Sequence, residues 1–174
     1  ITSPVMGLRL RVEGSPGFDT GLRLDDGEFA DLRARIEDQW QARLARLLPE
    51  EQFEQAWRLG IARYHEIAPW IDHSRSWPKV ERILSREDFE AVQRMPFMAT
   101  LRRELGPFEI TDEEELGYGQ IYWRLCRPNE DSDNGSLHAD RWFWDLGHGR
   151  TPLGKTRMKV WIAVHCEPSR NGLQ

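Results

Sequence analysis

The chain has 174 residues, a length that suits one domain with a sizeable core. Hydrophobic residues make up 39% of it, and eight Trp and seven Phe exclude a disordered chain, which could not bury so many large apolar side chains. The 24 basic and 29 acidic side chains give a net charge of −5, which excludes a general nucleic-acid binder that depends on a basic face.

The first 105 residues carry mainly helical patterns after a short arm. Residues 8–12 alternate between apolar and charged side chains, which predicts a strand or an extended arm. One helix is predicted after the acidic residues Asp25 and Asp26 and a second after Pro49, because apolar residues then recur at spacings of three and four. Those apolar positions are Phe29, Leu32, Ile36, Trp40, Leu44, Leu47, Phe53, Trp57, Ile61 and Tyr64. We expect the two helices to form a hairpin.

The pattern is less regular between residues 67 and 107. The Trp-rich stretch 67–78 predicts a loop. Ser85 with Asp88 three residues later resembles a capping box and predicts the start of a helix. Pro96 interrupts that helix, and a further helical turn ends before Gly106 and Pro107. We therefore expect residues 28–105 to be mainly helical, within a helical support region of about residues 1–115.

After about residue 107 the hydrophobic period changes from 3.6 to 2, which indicates strands. The first strand is predicted over residues 117–126 and the second over residues 157–166, with a short strand around His138 between them. The predicted faces are Ile121, Trp123 and Leu125 against Gln120, Tyr122 and Arg124, and Met158, Val160, Ile162 and Val164 against Lys159, Trp161, Ala163 and His165. Helices followed by antiparallel strands predict a single α+β domain over residues 1–174.

The sharpest local signal is the pair His138 and Asp140. On a strand, residues two apart point to the same face, so both side chains could reach one metal ion. An imidazole and a carboxylate are two of the three ligands in the facial triad that holds non-haem Fe(II). The alternative is a surface histidine beside a solvated aspartate. The aromatic residues Trp142, Phe143 and Trp144 follow directly and favour a site.

The order of these features resembles the phytanoyl-CoA dioxygenase-like family of Fe(II)- and 2-oxoglutarate-dependent oxygenases. The matching pieces are the pair His138 and Asp140, the strand at residues 161–164 and the turn at residues 171–173. The resemblance implies a double-stranded β-helix (jelly roll) backed by helices, whose first strands are residues 116–174. It also implies that Fe(II) and the cosubstrate 2-oxoglutarate are used to hydroxylate a C–H bond of a small-molecule substrate, with His138 and Asp140 as metal ligands.

Three residues are candidates for contact with the cosubstrate: Gln120, Tyr122 and Trp161. Gln120 and Tyr122 share one strand face with Arg124, and that face either lines the pocket or faces water. Trp161 and Lys159 either point into the pocket or pack in a core. These alternatives stay open at the level of sequence.

The third metal ligand has no match at the family's position. The family takes a second histidine, and the arginine that pairs with 2-oxoglutarate, from strands beyond a turn equivalent to residues 171–173. Since the sequence stops at Gln174, we expect the next strands to be missing and this chain alone not to turn over 2-oxoglutarate. Exposed strand edges would then favour oligomerisation. His148 and His165 are the candidates within the chain for a third ligand.

Two other functions stay open. One is a jelly-roll binding module without redox chemistry, and the other is a cupin-like or zinc metalloenzyme that uses His138 and Asp140 with His148 or His165. Cys126 and Cys166 are the only cysteines, too few for a disulfide framework or a four-thiolate zinc site. No apolar run reaches the roughly 20 residues that a bilayer requires, and no signal peptide is evident. We expect a cytoplasmic protein that binds neither membranes nor nucleic acid.

Overall fold

The computed structural model describes residues 7–15, 17–133, 140–146 and 151–166. Of these residues 55% are helical, and they contain no strand or sheet. The prediction of an α+β fold with a jelly roll is therefore wrong for this part of the chain, which is all helical. The α-helices are α1 Leu8–Glu13, α2 Asp26–Leu47, α3 Glu50–Leu59, α4 Tyr64–Ile67, α5 His73–Ser76, α6 Arg86–Gln93, α7 Pro96–Leu105 and α8 Asp140–Asp145. Short 3₁₀ helices lie at Ile61–Arg63, Ala68–Trp70, Lys79–Arg82 and Asp131–Asp133.

The chain divides into two compact units. Unit 1 consists of residues 1–42 and 79–123, and unit 2 consists of residues 43–78 and 124–174. No helix in the described ranges is both long enough and apolar enough to cross a membrane.

Unit 1 begins with α1, where a strand or extended arm was predicted. The same alternating residues form a helix because Arg9 and Glu13 lie one turn apart and pair at 3.1 Å, while Leu8 is buried and Leu10 is exposed. The start of α2 is fixed by a reciprocal capping pair. The backbone N–H of Glu28 donates to the Asp25 carboxylate at 2.8 Å, and the backbone N–H of Asp25 donates to the Glu28 carboxylate at 3.0 Å.

The predicted helices of unit 1 are confirmed. The side chain of Ser85 caps α6 by accepting the backbone N–H of Asp88 at 3.1 Å. α7 begins at Pro96 and ends at Gly106, whose φ of 86° suits a residue without Cβ. The buried apolar side chains of the unit are Leu8, Leu32, Ile36, Trp40, Ile83, Leu84, Val92, Met95, Phe97, Met98, Leu101 and Trp123.

The strand predicted over residues 117–126 is not formed. A single antiparallel bridge joins Ile83 to Tyr122, flanked by hydrogen bonds from Leu84 N–H to the Ile121 carbonyl at 2.8 Å and from Trp123 N–H to the Arg82 carbonyl at 3.0 Å. Trp123, which the alternating pattern places on the apolar face, is buried. Because the partner is the short connection before α6 rather than another strand, the pairing stops after one bridge.

In unit 2 the helix predicted after Pro49 is formed as α3, but it ends at Leu59, and several short helices take the place of its predicted continuation and of the predicted loop at residues 67–78. Gly60, at a φ of 76°, ends α3, and its N–H closes the helix on the Ala56 carbonyl at 3.0 Å. The 3₁₀ and α turns that follow are held in part by the Asp72 side chain, which accepts the Arg75 N–H at 3.2 Å. Tyr64, Ile67, Ala68 and Trp77 are among the buried side chains of this region, as is the polar Ser76.

The strand predicted over residues 157–166 is not formed either. Asp140 is the first residue of α8 rather than part of a strand, and residues 151–166 contain neither helix nor strand. His138, His148 and the turn at residues 171–173 lie outside the described residues. Alternation along a chain fixes which side chains share a face, but a strand forms only where a second backbone edge takes its hydrogen bonds. The part of the chain that is described supplies no such edge to residues 157–166.

Candidate functional site

Gln120 and Tyr122, two of the predicted cosubstrate contacts, belong to unit 1 and support an acidic turn. The Gln120 amide donates to the Asp112 carboxylate at 2.7 Å, and the same carboxylate accepts the backbone N–H groups of Leu116 and Gly117 at 2.8 and 2.7 Å. The Tyr122 ring lies 5.2 Å from the ammonium of Lys79. Both side chains are thus engaged within unit 1, and their role toward a cosubstrate stays a prediction.

Asp140, Lys159 and Trp161, by contrast, lie together in unit 2. The Asp140 carboxylate is 2.8 Å from the Lys159 ammonium, which lies 5.2 Å from the centre of the Trp161 ring. Two residues earlier, the Arg157 guanidinium lies 5.1 Å from the centre of the Trp144 ring on α8. We call Asp140, Trp144, Arg157, Lys159 and Trp161 the α8 cluster.

The α8 cluster is open to solvent. The side chains of Lys159 and Asp140 are 31% and 29% exposed, and Trp161 is 46% exposed. Two cations and one carboxylate give the cluster a net charge of +1. A negatively charged small molecule could therefore reach the cluster and meet both positive charge and aromatic surface.

The described residues of the α8 cluster offer fewer metal-ligating side chains than the three that a facial triad requires. The Asp140 carboxylate is a suitable oxygen donor, but it is already paired with the Lys159 ammonium at 2.8 Å. The second predicted donor, His138, is outside the described residues, as is His148. Within the described ranges, no group of three or more His, Cys, Asp or Glu side chains could hold a metal ion. The described residues of the cluster supply one donor and do not by themselves fit a metal ion, and a complete site would require His138 and a further ligand.

A second constellation in unit 2, which we call the Tyr64 network, was missed by the sequence analysis. Trp77 donates its indole N–H to the Tyr64 hydroxyl oxygen at 3.0 Å, and that hydroxyl lies 3.0 Å from Nδ1 of His73. The other ring nitrogen of His73, Nε2, is 3.6 Å from the carboxylate of Asp133. The Asp133 carboxylate accepts hydrogen bonds from Nε and Nη2 of Arg127 at 2.8 and 2.7 Å and from the Arg127 backbone N–H at 2.8 Å.

The charges of the Tyr64 network are fixed by their surroundings. Arg127, with its hydrogen bonds to the carboxylate, lowers the pKa of Asp133 to about 2. Burial raises the pKa of Tyr64 to about 12, so the hydroxyl stays protonated and can donate to His73 Nδ1. A neutral His73 then carries its proton on Nε2, toward the Asp133 carboxylate.

The Tyr64 network is a structural clamp rather than a binding site. Tyr64 is 2% exposed and the Asp133 side chain 3%, so no ligand reaches the polar centre. The clamp closes residues 127–133 into a loop and ties that loop to α5. The sequence analysis gave neither Arg127 nor Asp133 a role, and the connection of Asp133 to His73 joins positions 60 residues apart and has no local signal.

A cleft of about 520 Å³ lies in unit 1, between α2 and the start of α6. Its lining residues are Asp31, Ala34, Arg35, Asp38, Gln39, Ile83, Ser85 and Asp88. Arg35 pairs with Asp31 at 3.1 Å and with Asp88 at 2.7 Å, and Gln39 donates to two backbone carbonyls. The main polar groups of the cleft therefore hold α2 and α6 together.

Comparison with protein-family models, with curated proteins and with solved structures found no significant match.

Proposed function

We propose that the protein is an Fe(II)- and 2-oxoglutarate-dependent dioxygenase that hydroxylates a small molecule, with His138 and Asp140 as metal ligands. The observation that carries the proposal is the α8 cluster. From sequence, Asp140 is a predicted metal ligand and Trp161 a candidate cosubstrate contact, while Lys159 was left open between a pocket and a core. Lys159 contacts both of them, although 19 positions separate it from Asp140. The contact supports the grouping and does not depend on a jelly roll.

The Asp140 carboxylate suits the metal by charge and by donor type. Its side chain is 29% exposed, and a metal ion would have to displace the Lys159 ammonium that lies 2.8 Å away. Carboxylate oxygen with imidazole nitrogen is the donor chemistry that non-haem Fe(II) takes up in facial triads. When bound, iron would supply the oxidative decarboxylation of 2-oxoglutarate that drives hydroxylation of a C–H bond.

The other members of the α8 cluster would bind and orient the cosubstrate. 2-Oxoglutarate carries two carboxylates, and Lys159 and Arg157 are cations two residues apart on the same segment. Each lies over an indole ring, at 5.2 and 5.1 Å respectively, which holds its charge at the edge of an apolar surface. That surface excludes water from one side of a bound anion and strengthens its pairing with the cations.

The test is an anaerobic titration of the chain with Fe(II) and 2-oxoglutarate, followed by the visible charge-transfer absorption of the metal–cosubstrate complex. We expect the band in the unmodified protein and its loss in His138→Ala and Asp140→Asn. The matched control is Asp131→Asn, an exposed carboxylate of the same unit, which should leave the band unchanged. Equal Fe(II) affinity in all four proteins would refute the proposal, and tight Zn(II) binding without a 2-oxoglutarate band would favour the zinc metalloenzyme alternative.

A further inference from the structure

We propose that residues 155–163 are a docking edge, to which an acidic, extended segment of a partner protein adds as a β-strand. This docking edge requires neither a metal ion nor 2-oxoglutarate, so it is independent of the proposed function. Its residues combine an open backbone, an exposed apolar face and a local excess of positive charge.

The docking edge lies alongside α8 in an extended conformation. Arg157 contacts Trp144 near the end of α8, and Lys159 contacts Asp140 at its start. Asp140 and Trp144 are separated by one helical turn, about 6 Å along the axis, and two residues of extended chain span about the same distance. The segment and α8 are therefore antiparallel, and the side chains of Arg157 and Lys159 face the helix.

The backbone of the docking edge is open. Residues 158–163 are neither helix nor strand, and their N–H and carbonyl groups make no backbone hydrogen bond to any part of the chain that the structure describes. The neighbouring α8 does not supply such bonds, because a helix uses its N–H and carbonyl groups internally. An extended segment with an open backbone is a template for the addition of a second strand.

The face of the docking edge that points away from α8 is apolar and exposed. Met158 and Val160 alternate with Arg157 and Lys159, and they are 43% and 50% exposed. Contact of these side chains with water is unfavourable, and apolar side chains at alternate positions of an added strand would cover them. The partner segment should therefore have an apolar residue at every second position.

Positive charge determines the other residues of the partner segment. Residues 140–166 contain five basic and two acidic side chains, a net charge of +3, whereas the whole chain has a net charge of −5. Lys155, Arg157 and Lys159 stand at alternate positions, and Asp140 pairs with Lys159. Acidic side chains at alternate positions of an added strand would lie opposite these cations. A second copy of this chain would instead place cations against cations, which is repulsive.

An acidic peptide also fits the docking edge better than a nucleic acid does. Phosphate groups would pair with the cations. They would not supply amide groups for the open backbone or alternating apolar side chains for Met158 and Val160. The expected partner is therefore a peptide segment in which acidic and apolar residues alternate.

The experiment measures the binding of fluorescein-labelled peptides to the full chain by fluorescence anisotropy. The probe is a peptide in which Glu alternates with Val, and a first comparison peptide has Lys in place of Glu. A second comparison peptide keeps Glu and Val but carries a methyl group on every backbone nitrogen, so it cannot donate backbone hydrogen bonds. The protein variants are Val160→Asp and its control Val80→Asp, which changes an exposed valine of unit 1. Far-UV circular dichroism verifies that each variant is folded.

We expect the Glu/Val peptide to bind the unmodified chain, and both comparison peptides to bind at least about tenfold more weakly. Val160→Asp should weaken binding of the Glu/Val peptide by about tenfold, because it adds a carboxylate and removes an apolar contact. Val80→Asp should bind the peptide as the unmodified chain does.

Other results would overturn the proposal. Equal binding of the methylated peptide would show attraction between charges without strand addition. Tighter binding of single-stranded oligothymidylate than of the Glu/Val peptide would assign the cations to a nucleic acid. A dimer of the unmodified chain in sedimentation velocity that Val160→Asp dissociates would assign the docking edge to a second copy. Absence of peptide binding, or equal binding to Val160→Asp, would show that residues 155–163 do not dock such a segment.

Discussion

At the scale of single residues, the Tyr64 network is a continuous set of polar contacts through the centre of unit 2. The Tyr64 hydroxyl accepts a hydrogen bond from Trp77 and lies 3.0 Å from Nδ1 of His73. Asp133 accepts three hydrogen bonds from Arg127. Removing one member leaves others buried and unsatisfied, which costs more than the lost bond itself.

Replacing Asp133 by Asn should destabilise the fold by about 2 kcal/mol near neutral pH, the free energy that corresponds to a pKa of about 2 against the usual 3.8. A carboxyl whose pKa is lowered by folding stabilises the protein above its unfolded pKa, and this contribution disappears as the pH falls. The difference in unfolding free energy should therefore be fully present above about pH 5 and disappear as the pH falls through about 2. Urea unfolding across this pH range measures it. Asp131→Asn, at an exposed neighbour, should show no such dependence.

Replacing Tyr64 by Phe should cost about 1–3 kcal/mol, because the indole N–H of Trp77 and Nδ1 of His73 both lose a buried partner. Tyr122→Phe serves as the comparison, since the Tyr122 ring contacts Lys79 through its face and keeps that contact. Chemical denaturation of both variants gives the two values. A loss at Tyr64 no larger than that at Tyr122 would contradict the role assigned to the hydroxyl.

At the scale of elements, helix boundaries follow local chemistry closely. Ser85 accepts the N–H of Asp88, so Ser85→Ala should destabilise α6 and lower the unfolding free energy by about 1 kcal/mol. Ser85→Thr keeps a hydroxyl at the cap and should recover most of the loss. Thermal unfolding of the three proteins tests the prediction. An unchanged midpoint in Ser85→Ala would mean that the cap does not contribute.

Whether an element depends on its near neighbours in sequence or on distant contacts explains which elements could be predicted. α2, α6 and α7 were predictable because spacing, caps and prolines act within a few residues. The short helices of residues 64–76 were not, because Tyr64 and Trp77 are held by each other and by His73 rather than by a helical period. The strand at residues 157–166 was predicted from alternation alone. Alternation within one segment does not show whether a second segment forms hydrogen bonds with it. Its division of faces nevertheless anticipated that Lys159 and Trp161 lie on one side, in mutual contact.

At the scale of the whole molecule, helix dominates the described residues at 55%. Far-UV circular dichroism of the chain should accordingly show the two minima of an α-helical protein, since the fold depends on α2, α3, α6 and α7 for most of its regular backbone. Addition of Mn(II) and 2-oxoglutarate should leave the spectrum helical. A spectrum with a single broad minimum typical of sheet would restore the jelly roll and overturn the fold described above.

The tryptophans differ in burial, and this difference affects the fluorescence of the protein. Trp40, Trp77 and Trp123 are buried, whereas Trp57, Trp142 and Trp161 are exposed. A charged quencher such as iodide reaches the exposed indoles and largely spares the buried ones. The fluorescence that survives iodide should be shifted to shorter wavelength, and its loss on unfolding would report on the interior of both units. The fraction removed by iodide includes Trp161, so a dicarboxylate that shields this ring should protect part of that emission without any label being attached.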